Sequence, residues 1–302
     1  MKPIFSLGNT QVIRVTGEQR HDFLNRITTN DLQNPSSNSV VPTLLTTEKG
    51  RVVDLIWYLE WGHESWLVPS PGMSADIYQR LDQFLFPMDK AGLALDADSY
   101  HLIITMEDAG FSEAGMWKET AAGITWPVEE WFGGCGLMLS RDGELDATGI
   151  QQHQFLAEDE FHQLRLERGV PLTGSEMNGQ YHVQELGLLW AVNFSKGCYP
   201  GQEVVARIFN YEKNQRRRAL VSWTEFVAPE LPAKIVCGAE SAGIITSIAR
   251  TKGGFLGFGL LREKVVTGGC KLSLEFDGRL VPVTHEFFPP SQPKGLKKKA
   301  AL

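Results

Sequence analysis

The stretch "PTLLTTEKGRVVDLIWYLEW", Pro42 to Trp61, leaves few options for the fold. Two runs rich in β-branched, leucine and aromatic residues flank a turn at Glu48–Gly50, which predicts two strands joined in a hairpin. Upstream, "TQVIRVTG" predicts a short strand, and "EQRHDFLNRIT" a helix with Phe23, Leu24 and Ile27 at helical spacing. Downstream, "SWLVPS", "LALDADS" and "YHLIITM" predict strands. "MSADIYQRLDQFLF" predicts a helix with Ile77, Leu81 and Leu85 along one face. Hairpins mixed with helices in this order predict an α+β chain with mainly antiparallel sheets.

The middle, about 110–160, carries further strand and turn signals in "AGITWPVEEWFGGCGLMLSRDGE". "AEDEFHQLRLERG" follows as a helix, with Glu158, Asp159 and Glu160 at its positive end and Gly169 just past its last turn. Beyond "FNYEKNQRRR" the pattern becomes a series of short strands separated by turns, from "RALVSWTEF" to "RLVPVTHEF". That spacing predicts a small β-barrel or sandwich with its boundary near 210–217.

The chain of 302 residues carries a net charge of −7, so no global field draws it to nucleic acid or to an anionic membrane. Two local basic runs, Arg216–Arg218 and "GLKKKAAL", read as a solvated edge and a frayed tail. No apolar window is long enough to cross a membrane as a helix, and the N-terminus lacks the features of a secretory signal. Cys135, Cys198, Cys237 and Cys270 lie far apart without a CxxC pair, which predicts neither a disulfide framework nor a cysteine metal site and fits a reducing cytoplasm. The histidines show no metal-ligand spacing, and phosphate-loop and nucleophile-elbow motifs are absent from the sequence.

One segment resists a purely structural reading. "KGCYPGQEVVAR", Lys196 to Arg207, surrounds a cysteine with two glycines, a proline and several polar or charged residues, a poor composition for core. Lys196 is placed to favour a thiolate at Cys198, Gln202 and Glu203 can read hydrogen-bond donors, and Arg207 can bind a carboxylate bidentately. Cys198 alone would more often be a buried small hydrophobe. "LRLERGVPLTGSE" offers Arg165, Glu167, Arg168 and Glu176, either helix-surface charges or a source of one inward carboxylate. Turned inward, Glu167 would suit the amino and ring N–H groups of a pterin or purine. "TTND", Thr28 to Asp31, is by itself a helix-terminating turn, and "TTEKGRVVDL" a charged hairpin tip followed by Asp54 in a strand.

Taken together, "FLNRITTNDL", "LTTEKGRVVDL", "LRLERGVPLTGSE" and "ELGLLWAVNFSKGCYPGQE" resemble, in order and spacing, the YgfZ proteins, folate-binding relatives of the glycine-cleavage T-protein (aminomethyltransferase). The resemblance covers roughly residues 10–210. It implies a T-protein-like folate-binding region over 1–215, in two mixed α/β subdomains of about 1–105 and 106–215. A small β-barrel over 216–290 and a basic, flexible tail over 291–302 would follow. It also implies tetrahydrofolate or a related folate as ligand, held by Asn30, Asp31, Glu167, Gln202 and Arg207, with Cys198 and Lys196 as the reactive pair and no metal site. Iron–sulfur client proteins, tRNA-modifying enzymes among them, are the implied partners, without direct tRNA binding. The alternative is tetrahydrofolate-dependent one-carbon transfer to another substrate. Two departures bear on it. T-proteins carry G-x-x-x-D-D-L with a catalytic second aspartate, whereas "GRVVDLI" has Leu55 there, and a leucine cannot manage a proton. The T-protein "GYTGE" loop is not recognisable, "SRDGELDATG" standing in its place.

Overall fold

The hairpin seen in the sequence is the centre of a five-stranded sheet. The computed structural model describes residues 2–106, 113–121, 123–132, 134–141, 153–211 and 216–293. "SRDGELDATG" from residue 142 onward, and the basic tail from 294, lie outside these residues.

β3 (Val40–Thr46) and β4 (Val52–Glu60) pair antiparallel from Val40 opposite Leu59 to Thr46 opposite Val52. β5 (Ser65–Val68), β2 (Ile13–Thr16) and β6 (Gly92–Leu95) complete the sheet in the order β3-β4-β5-β2-β6. Pro42 is tolerated because β3 is an edge strand, where a missing ladder donor costs little. Every residue of β4 is buried, as expected of a central strand covered on both faces. Helices α1 (Arg20–Ile27) and α2 (Ser74–Asp82) lay Phe23, Leu24, Ile27, Ile77 and Leu81 against Val53, Ile56 and Tyr58 in one core. Beside it Glu60 is buried and accepts hydrogen bonds from Arg20, His21, Tyr58, Ser65 and the Gly62 amide. Burial pushes this carboxyl up, but those bonds outweigh it and hold the group at about 2.

A six-stranded sheet, ordered β11-β1-β7-β10-β9-β8, joins β1 (Lys2–Thr10), β7 (Tyr100–Thr105), β8 (Lys118–Thr120), β9 (Gly123–Val128), β10 (Cys135–Arg141) and β11 (His153–Phe155). Only β1 and β11 run parallel. Trp57 of β4 packs against Trp126, Trp131 and Trp190, with ring centroids 5.9–6.2 Å apart. No strand was expected before "TQVIRVTG", yet β1 lies there and pairs with β7 from Ile4 to Thr10.

These two sheets form one compact unit with residues 190–202, and residues 157–189 and 203–292 form a second. The second unit contains α3 (Glu158–Glu167), α4 (Val183–Leu186), most of α5 (Gln202–Asn210) and a curled, half-barrel sheet of seven antiparallel strands. That sheet holds β12 (Arg217–Trp223), β13 (Ala233–Cys237), β14 (Glu240–Thr251), β15 (Gly254–Leu261), β16 (Leu272–Phe276), β17 (Arg279–Pro282) and β18 (Thr284–Phe287). The order is β17-β16-β13-β14-β15-β12-β18, and a short helix α6 (Glu263–Val266) follows β15. The mixed α/β architecture with antiparallel sheets therefore matches the sequence expectation, whereas the C-terminal sheet is a curled half-barrel with β17 and β18 as its edges and not the closed barrel expected.

The cysteine reading needs one correction. Cys237 and Cys270 form a disulfide. Cys237 ends β13 opposite Leu272, the first residue of β16, so sheet register brings together two cysteines that are 33 positions apart in sequence. Cys135 and Cys198 are free, Cys135 buried and Cys198 exposed.

Candidate functional site

The cysteine loop is fixed from three sides within the first unit. Its amine anchor is Lys196, whose Nζ donates to the carbonyls of Asn25 (2.5 Å), Thr28 (2.6 Å) and Asn30 (2.8 Å). The first two are carbonyls that the end of α1 leaves without intrahelical partners, so the lysine acts as a C-terminal cap reaching in from far along the chain. All three of its protons are committed, which leaves none to activate Cys198 directly. The two roles paired in the sequence are thus separate: Lys196 holds the loop, and Cys198 presents an exposed thiol.

Burial pushes Lys196 down to about 8, with Asp31 pulling in the opposite direction. The folded chain thus releases this proton near pH 8, the unfolded chain near the ordinary value of 10.5. Between those values the unfolded state binds more protons, so stability rises with pH in that window. Urea unfolding below pH 8 and again near pH 10.5 is expected to show the wild type gaining about 2 kcal/mol relative to Lys196→Met. Parallel behaviour of the two proteins would refute a buried cation at this position.

The second anchor is the turn after the cysteine. Tyr199 is buried beneath the Lys196 amine, 5.4 Å from ring centroid to Nζ, and burial raises its hydroxyl. Thr46 donates to the Pro200 carbonyl at 2.6 Å. Gly201 has φ +81°, and a Cβ there would lie 2.4 Å from the Thr47 carbonyl oxygen, so only glycine fits. Gly197 is different: its φ is not in the left-handed region and a Cβ would meet open space. The third anchor is Thr29, whose hydroxyl donates to Ala191 O at 2.7 Å and accepts from the Leu44 amide at 2.9 Å.

Asn30 is consumed by its own turn. Its Nδ2 donates to Pro42 O at 2.8 Å and its Oδ1 accepts from the Asp31 amide at 2.9 Å. Asp31 is exposed and accepts from the Gln33 amide at 3.0 Å. The Gln202 amide group reaches Lys196 O and Gly197 O at 3.5 Å, the outer limit of a hydrogen bond. The structure therefore gathers Asn30, Asp31, Lys196, Cys198 and Gln202 in one unit, whereas Glu167 and Arg207 belong to the other. Glu167 is exposed at the end of α3, where Gln163 donates to it at 2.8 Å. Arg207 is exposed on α5.

The carboxylate turned inward is Glu176, which the sequence offered only as one charge in a run. It is fully buried and accepts from Arg165, the Leu172 amide, Thr246 and Ser247. Asp54 is likewise buried, its two oxygens taken by the Ser70 hydroxyl (2.6 Å) and amide (2.9 Å). Leu55 beside it is 2% exposed.

The basic triplet is not a solvated edge. Arg216 pairs with Glu185, Arg217 with Glu263, and Arg218 donates to the carbonyls of Gly169 and Pro289. Burial pushes Arg218 down to about 10. Among the described residues no group of three or more His, Cys, Asp or Glu is placed to hold a metal ion. No helix among them is long and apolar enough to cross a membrane.

No protein-family model matches the chain. A chloroplastic protein of Arabidopsis thaliana, described as a candidate transferase, is 24% identical over 277 residues, 82% of this chain and 62% of that protein, less than two thirds of its own length. The tRNA-modifying protein YgfZ of Buchnera aphidicola is 30% identical over 95 residues, 30% of each chain. A mitochondrial homologue of an iron–sulfur cluster assembly factor in Neurospora crassa is 24% identical over 248 residues, covering 75% of this chain and 55% of that one. Among solved structures, the glycine cleavage system aminomethyltransferase T of Bartonella henselae superposes with a TM-score of 0.74 at 16% identity, covering 93% of this chain and 84% of that one. The fold of this chain is accordingly that of an aminomethyltransferase of the glycine cleavage system.

Proposed function

We propose that this protein binds a tetrahydrofolate-type ligand and supports the assembly or repair of iron–sulfur proteins, tRNA-modifying enzymes among them, with Cys198 as its working thiol. The observation that carries the reading is the cysteine loop itself: an exposed, free thiol on a loop immobilised by Lys196, Thr46 and Gly201. A cysteine whose only job is packing would be buried. The partial likenesses to YgfZ and to the iron–sulfur assembly factor point the same way. In this reading Asn30 and Asp31 form the turn beside the ligand and Gln202 contributes a polar contact, while Glu167 and Arg207, which belong to the second unit, are carried as separate candidates for ligand contact. A reducing compartment such as the cytoplasm would keep the Cys198 thiol free, but it would also oppose the Cys237–Cys270 disulfide, so the two cysteine observations pull toward different settings.

Aminomethyl transfer by the glycine-cleavage route is disfavoured by the acidic positions. Leu55 has no carboxylate, and Asp54 spends both oxygens on Ser70. A one-carbon transfer to a different acceptor remains the second reading, carried by the fold alone.

Isothermal titration with tetrahydrofolate is expected to show binding by the wild type and about tenfold weaker binding by Glu167→Gln, the cost of one charge-assisted hydrogen bond. Absence of binding by the wild type would remove the folate half of the reading. Cys198→Ala is expected to bind folate normally but to fail in restoring an iron–sulfur enzyme in cells lacking the native protein. Full restoration would sink the role of the thiol.

A further inference from the structure

A cavity of about 340 Å³ opens in the first unit. Its floor is apolar: Ile27 from the end of α1, Leu45 from β3 and Val53 from β4, each at most 6% exposed. Phe84, just past α2, is 40% exposed and forms a side wall. Lys49, on the hairpin turn, and Arg80, on the last turn of α2, supply two cations to the lining, with Glu48 as the one acid. Both cations are exposed, and no acid pairs with either among the described residues. This local surplus of positive charge stands out in a chain of net charge −7.

Empty pockets with apolar floors and a few convergent polar groups are the usual form of small-molecule sites, and this volume lies at the lower end of their range. An apolar body on Ile27, Leu45, Val53 and Phe84 would leave one end beside Lys49 and Arg80. Arginine and lysine together recognise an oxyanion, the arginine through its planar fork. We propose that this cavity binds a small amphipathic organic anion, an aryl or branched-alkyl body carrying one carboxylate, as a second site independent of the folate reading.

The cavity also shares a wall with the cysteine loop. Pro200, two residues from Cys198, lines it, and the Thr46 that holds the Pro200 carbonyl lines it too. A ligand here rests on the same turn that fixes the thiol, so its occupancy changes how firmly that turn is held.

Anilinonaphthalene sulfonate, an aryl body with one anionic group, tests the site in the full chain. One equivalent is expected to bind, and naphthoate is expected to displace it about tenfold better than the neutral naphthalenemethanol. The double variant Lys49→Ala/Arg80→Ala is expected to weaken dye binding about tenfold or more. Gln83→Trp, an exposed change at the cavity mouth, should block it while leaving the circular dichroism spectrum unchanged. Dye binding that is indifferent to both variants, or displacement by alcohol and acid alike, overturns the proposal. Tetrahydrofolate titrated into the double variant separates the two sites. Unchanged folate affinity beside weakened dye binding supports a second site, and parallel weakening overturns its independence. A wild type that binds dye but no tetrahydrofolate leaves this site standing and removes only the folate reading.

Discussion

Replacing Glu176 with alanine is expected to destabilise the protein by about 3–5 kcal/mol, the typical cost of stranding one partner of a buried ion pair. Glu176 is fully buried, Arg165 is 1% exposed, and their charged atoms lie 3.3 Å apart. One carboxylate oxygen also takes the Leu172 amide at 3.0 Å, and the other takes the Thr246 and Ser247 hydroxyls, both at 2.6 Å. The hub therefore ties α3, the segment after it and β14 within the second unit. Alanine would leave a buried guanidinium without its counter-charge and the Leu172 amide and Ser247 hydroxyl without an acceptor, while Thr246 keeps only the Phe258 carbonyl at 3.3 Å. Glu176→Gln keeps the shape but not the charge and should fall between alanine and wild type. Asp159→Ala, an exposed acid in α3, should stay within about 0.5 kcal/mol. Urea unfolding measures all three, and a loss below about 1 kcal/mol for Glu176→Ala would show that the hub is not a stability element.

The second large effect is expected at Gly201. Alanine there faces a left-handed φ of +81° and a Cβ 2.4 Å from the Thr47 carbonyl oxygen and 2.6 Å from the Gly50 nitrogen. Neither obstacle is a side-chain end that can swing away; both are backbone of the hairpin turn. Strain of this kind costs on the order of 1–3 kcal/mol before any rearrangement. The cheapest relief is for the cysteine loop to lift off the hairpin, which would break the Thr46–Pro200 bond. Gly201→Ala should therefore destabilise by at least about 2 kcal/mol and alter the rate at which a thiol reagent modifies Cys198. Gly197→Ala is the matched control, since its Cβ meets open space; its stability and thiol reactivity should remain those of the wild type. Equal behaviour of the two variants would contradict the packing described here.

The strands and helices around the Glu48–Gly50 hairpin were legible because periodicity and turn chemistry are local signals. β1 was not, since its one bulge between Ser6 and Gly8 interrupts the alternation and its pairing to β7 lies some 95 residues away. The unusual composition of "KGCYPGQE" argued against a core segment, and Cys198 is indeed exposed on a loop, yet the hydrogen-bond partners inside that loop were not readable. Proximity in sequence suggested that Lys196 serves Cys198, while the fold hands its amine to Asn25, Thr28 and Asn30. The same limit applies to "LRLERGVPLTGSE": four charges in one segment do not say that Arg165 and Glu176 are the two inside, and the hydroxyls of Thr246 and Ser247 that complete the Glu176 shell come from a distant strand. The Arg216–Arg218 triplet read as a surface charge run because its acceptors at Glu185, Glu263 and Gly169 are scattered along the chain.

The lysine clamp has a kinetic side. An amine whose protons are all held by carbonyls is shielded from acylating reagents until those bonds open, so the modification of Lys196 is gated by local opening of the cysteine loop. The residue that fixes the loop is thereby also a clock for its release, readable by mass without touching the thiol.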